Sequence, residues 1–66
     1  MINTDTNYWS EHIVVYCGKN RLSLRDFAKL SNLHHNTILH IVSCKTKSVT
    51  AETAGILYNT IFRNTY

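Results

Sequence analysis

The chain has 66 residues, of which 44% are hydrophobic and 17% charged, with a net charge of +3. That is one domain spanning 1–66, and a chain this short buries only about 60% of the surface its unfolded form exposes, so a compact helical core is expected. No stretch reaches the roughly 18 apolar residues of a membrane span, the start lacks the basic and apolar regions of a secretory signal, so none is expected, and two cysteines are too few for a disulfide scaffold, so a reducing cytoplasm is the expected setting.

The first predicted helix runs from about Tyr8 to Gly18. Trp9, Ile13 and Tyr16/Cys17 recur at helical spacing, with Asp5, Thr6 and Asn7 as candidate N-caps. Gly18 and Asn20 are expected to close it, since both tolerate left-handed backbone. The apolar run from Ile13 to Tyr16 also reads as strand; helix is preferred because no other segment offers a partner strand. A second helix starts at Ser23, whose S-x-x-D spacing to Asp26 is a form of the capping box, and Phe27, Ala28 and Leu30 are expected to face inward. Ser31 and Asn32 break it, Asn32 as the left-handed residue, and apolar Leu33 follows. A third helix spans about 35–43 with Ile38, Ile41 and Val42 as its buried stripe. Residues 44–49 read as a polar loop. Thr50 then caps a fourth helix, in which Ala51, Ala54, Leu57, Tyr58 and Ile61 can line one side, ending near Phe62.

Charge is placed unevenly. No acidic residue lies between Asp26 and Glu52, while Lys29, Lys45 and Lys47 do, with His34, His35 and His40. Such a stretch suits a phosphate-contacting surface, although a plain solvated face would look the same.

Two short helices joined by a three- or four-residue turn make a helix-turn-helix unit, here at about 23–43. Residues 22–33 (LSLRDFAKLSNL) resemble the first helix and turn of the phage repressor and Cro (XRE-type) DNA-binding family. Residues 34–41 (HHNTILHI) are similar to its recognition helix, and residues 44–47 to its following basic loop. The likeness covers roughly 13–58. Ala28 stands at the family's small position, Leu33 at the apolar turn position, and Ile38 and Ile41 at two core positions. The resemblance implies an all-α domain of the lambda-repressor-like type: four helices, with room for a short fifth turn. The sequence also departs from the pattern. Leu24 replaces a phosphate-contacting glutamine and can offer only its main-chain N–H. Asn32 and Cys44 stand where glycine is usual, and His34 where serine or threonine caps the recognition helix. Cys17 and Val42 align with a common arginine–glutamate pair, and an apolar pair avoids the desolvation cost of a buried ion pair.

With Ile38, Ile41 and Val42 inward, Asn36, Leu39, His40 and Ser43 fall on the opposite face, and His35 at the N-terminal edge. These side chains suit base reading: asparagine pairs with adenine, leucine packs on a thymine methyl, and histidine donates to guanine. His35, Asn36, Leu39 and His40 are therefore the expected base readers. Ser43, Lys45, Thr46, Lys47, Arg25, Thr37 and the Leu24 main chain are the expected contacts to the DNA backbone. Three histidines at that end and face predict tighter DNA binding as the pH falls through about 6.5.

The resemblance implies a small transcriptional regulator, a repressor of phage or mobile-element type, bound as a homodimer to a palindromic double-stranded operator whose half-sites lie about 34–36 Å apart. Ile56, Ile61, Phe62 and Tyr66 are the expected dimer contact, because this tail is aromatic for a solvated segment. The alternative is a protein-interaction module of the same fold, an antirepressor- or antitoxin-like binder. No metal or cofactor is expected: His40 and Cys44 are four apart, but no C-x-x-C or H-x-x-x-H pair exists. No enzyme is expected either, since Asp5, Glu11, Asp26 and Glu52 show no paired spacing and Asp26 serves as a cap.

Overall fold

The computed structural model describes residues 3–63. Four α-helices follow one another: α1 (Thr6–Asn20), α2 (Leu24–Ser31), α3 (His35–Val42) and α4 (Ala51–Tyr58), the last running into a π-helical turn (Asn59–Arg63). Among the described residues there is no strand, only an isolated antiparallel bridge between Asp5 and Ser48. The domain is all-α, as the sequence predicts. No helix among those residues is long and apolar enough to cross a membrane.

The core is built from one stripe per helix. Helix α1 buries Trp9, Ile13 and Cys17, α2 Phe27 and Ala28, α3 Ile38 and Ile41, α4 Ala54 and Leu57, and Val49 joins them from the loop before α4. Fully burying side chains such as Phe27 or Ile38 stabilises by about 1.5–3 kcal/mol each. Tyr16 reaches the core edge-on, its ring 5.7 Å from that of Phe27. The run from Ile13 to Tyr16 is therefore helical, with Val14 and Val15 turned outward.

Three expected core positions are corrected: Leu30, Tyr58 and Ala51. Leu30 is 40% exposed and Tyr58 is 43% exposed. At a helical step of about 100°, Phe27, Ala28 and Ser31 share an arc that excludes Leu30, and Leu57 and Thr60 share one that excludes Tyr58. A hydroxyl residue takes each inward place. Ser31 Oγ donates to Ala28 O at 3.2 Å and Thr60 Oγ1 donates to Ile56 O at 2.9 Å, so neither hydroxyl is buried unpaired. Ala51, also expected inward, is exposed, while Ile61 is half-buried against the core.

Helix ends follow local chemistry. Asp5 caps α1 by accepting from the Asn7 N–H at 3.1 Å. At the other end α1 runs through Gly18 and Asn20, and closes instead at Arg21, which is left-handed at φ 54°. That bend carries Leu22 back to the core, where its N–H bonds Cys17 O at 2.9 Å. The Ser23–Asp26 capping box forms in both directions, and Asn32 closes α2 at φ 61°, both as the sequence predicts. Cys44 is left-handed too, at φ 57°. Its N–H bonds Ile41 O at 3.1 Å and that of Lys45 bonds His40 O at 3.0 Å, a Schellman closure of α3. The polar loop beyond is stitched to the segment before α1 by the Val49 N–H, which donates to Thr4 O at 2.9 Å.

Candidate nucleic-acid interface

The unit formed by α2, the 32–34 turn and α3 rests on four packed positions. Ala28, Ile38 and Ile41 are buried and Leu33 is half-buried against the same core. A side chain larger than alanine's at position 28 would meet that packing directly. Ser10 of α1 holds the far end of α3, its Oγ donating to Val42 O at 3.0 Å. Val42 itself is only half-buried, at the edge of the stripe.

The start of α3 differs from expectation. His34 adopts extended backbone and caps the helix with its ring, Nδ1 accepting from the Asn36 N–H at 3.1 Å. Histidine thus does the work usually given to serine or threonine, because an unprotonated ring nitrogen is as much an acceptor as a hydroxyl oxygen.

Outward from this frame, Asn36, Leu39 and His40 are exposed, and Leu39 presents 38% of its surface. His35 is half-buried and parts from the other three readers. It lines a shallow cleft of about 620 Å³ between α2 and α3 with Arg25, Lys29, Asn32, Leu33 and His34. His40 and Thr37 line a separate groove of about 180 Å³ with Thr46, Ser48, Thr50 and Thr53, floored by Ile41 and Val49. Sequence reasoning missed Lys29, Ser48, Thr50 and Thr53 as neighbours of the readers. Lys29 had a signal, since it follows Arg25 by one helical turn. The three hydroxyls had only a run of serines and threonines, and the packing of the loop and of α4 beside α3 decided their place.

Lys45, Thr46 and Lys47 are exposed on that loop, and Arg25 on the first turn of α2. Thr46 Oγ1 lies 3.4 Å from Thr6 Oγ1, which ties the loop to α1. Ser43 is exposed but its hydroxyl donates to Leu39 O at 2.7 Å. That intrahelical bond competes with any donation from the same hydroxyl to phosphate. Leu24 packs its side chain toward the core, and its N–H is one of the first-turn donors that a helix leaves without an internal acceptor.

Of the expected dimer contact, Ile56 and Ile61 are half-buried and Phe62 is 43% exposed. The Phe62 ring already packs against His12, Tyr58 and Trp9 at centroid distances of 5.2, 5.3 and 6.2 Å. Tyr66 lies outside the described residues. No group of three or more potential metal-binding side chains occurs among the described residues.

No family model matches this chain, and no curated protein or solved structure is significantly similar to it. Its function must be argued from its own residues. The outward side of α3 and the loop after it carry cations, amides and hydroxyls but no carboxylate, while Asp26 on α2 accepts from the Ser23 N–H in the capping box.

Proposed function

We propose that the protein binds double-stranded DNA sequence-specifically, with α3 in the major groove, as a small transcriptional regulator of the repressor type. The observation that supports this best is the division of α3. Ile38 and Ile41 lock one side into the core, while Asn36, Leu39 and His40 stand free on the other, two hydrogen-bonding side chains flanking one that can meet a thymine methyl. Lys45, Lys47 and Arg25, with the Leu24 N–H, supply the contacts to phosphate that set register without reading sequence. His35, with Arg25 in the cleft, reads at the edge of the site. One module reads few base pairs, so the bound species is a homodimer on a palindromic operator, acting in the cytoplasm.

The experiment is selection of bound duplexes from a random pool by the purified full chain, followed by a salt titration on the selected sequence. A recovered consensus, with log K falling by about 0.9 per log unit of salt for each phosphate contacted, supports the reading. Failure to enrich any sequence overturns it. Val14 and Val15, each about half-exposed on α1 (52% and 51%), favour a second reading as a protein-interaction module. Binding to a protein partner through that face would hardly respond to salt.

A further inference from the structure

We propose that His34 is a proton-controlled cap on α3: its neutral Nδ1 holds the Asn36 N–H, and protonation of the ring releases the first turn of the helix. The inference rests on the geometry of that turn and holds whether or not α3 enters a groove.

The argument starts from the ring. Nδ1 accepts from the Asn36 N–H at 3.1 Å, with His34 at φ −68°, ψ 142°, outside the helix it caps. A ring nitrogen that accepts carries no hydrogen, so the neutral ring must bear its proton on Nε2. In the imidazolium both nitrogens carry hydrogens, and no rotation of the ring restores an acceptor. Capping and protonation at His34 therefore exclude one another. Serine, threonine, aspartate and asparagine, the common caps, stay acceptors across the neutral range.

No carboxylate lines the cleft that holds the ring. The charged and titratable groups that share its cleft are Arg25 and Lys29 from α2 and His35 from α3, with Asn32 and Leu33 from the turn and no acid among them. The first turn of α3 has no acidic residue either. An imidazolium there meets cations and the positive end of the helix dipole. The turn it releases carries His35 and Asn36, so acidification works in two directions at the candidate interface. It adds charge that attracts phosphate, and it loosens the backbone that aims two readers.

The test uses the full chain without DNA. Backbone and histidine-ring resonances are followed by NMR from about pH 8 to about pH 5, the range over which histidines titrate, in the wild type, His34→Asn and His35→Asn. Asparagine is a strong cap with no proton to gain. The Asn36 amide is expected to move with the same midpoint as the His34 ring, in the wild type and in His35→Asn alike, and to stay still in His34→Asn. Over the same range the wild-type folding equilibrium should fall roughly fivefold relative to His34→Asn, the usual effect of losing one cap. An Asn36 amide that ignores the His34 titration, or stabilities of wild type and His34→Asn that fall in parallel, would overturn the proposal.

Discussion

Replacing Cys44 by glycine should stabilise this protein, and the size of the gain follows from the backbone. Cys44 sits at φ 57° in the Schellman closure of α3, a conformation that costs a non-glycine residue about 1–2 kcal/mol. Glycine removes that strain but gives the unfolded chain extra freedom, worth about 0.4–1 kcal/mol against folding. The substitution also deletes the thiol that donates to Asn7 Oδ1 at 3.2 Å, an exposed and weak interaction. The net gain expected for Cys44→Gly is about 0.5–1 kcal/mol, or a rise in Tm of roughly 2–8 °C for a domain of this size. Asn32 provides the control. It holds nearly the same backbone at φ 61°, yet asparagine visits that region readily, so Asn32→Gly should change little. Urea unfolding and thermal melts of the three proteins, with reductant present, measure the difference. If Cys44→Gly is no more stable than the wild type, or Asn32→Gly gains as much, the strain assigned to Cys44 does not exist.

Other outcomes can be checked with the same material. Gly18 and Gly55 lie inside helices with open space where a Cβ would go, so Gly18→Ala and Gly55→Ala should each add about 0.5–1 kcal/mol by urea unfolding. On the selected duplex, Asn36→Ala should lose about 1–3 kcal/mol of discrimination at one base pair. Lys45→Ala and Lys47→Ala should instead weaken binding to all sequences alike, each flattening the salt dependence by about 0.9. Burial pushes the Cys17 thiol up from its ordinary value of 9.0, and the Asp26 carboxylate adds to the effect. A raised thiol value favours the folded state fully at pH values below the unfolded thiol's range, and that contribution is lost as pH rises through the folded one. Alkylation at neutral pH should therefore label exposed Cys44 and spare Cys17; equal labelling by mass spectrometry would contradict the burial assigned to it.

Much of the fold was legible because its signals are local. The Ser23–Asp26 box, Asn32 as a left-handed close, the Thr50 cap and the stripe of Ile38 and Ile41 each depend on residues within one or two turns, and each is found where the spacing predicts. What misled was the choice between neighbours of similar chemistry. Gly18 and Asn20 looked like the end of α1, yet Arg21 ends it, because the chain must bring Leu22 onto the core there. Leu30 looked more buried than Ser31, yet the arc α2 presents to α1 and α3 is set by where those helices lie.

The candidate site divides in the same way. Periodicity alone determined which residues of α3 face outward, because a helix with Ile38 and Ile41 in the core leaves Asn36, Leu39 and His40 nowhere else to go. Tertiary structure decided what each of them neighbours. It placed His35 in a cleft with Arg25 and Lys29, set Ser48 and Thr50 of the loop and Thr53 of α4 around the groove that His40 lines, and spent the Ser43 hydroxyl on its own helix. It also turned His34 from an apparent gap in the pattern into the cap of α3. A one-dimensional pattern specifies which face a side chain occupies; the partners of its polar atoms depend on distances across the fold that spacing along the chain does not encode.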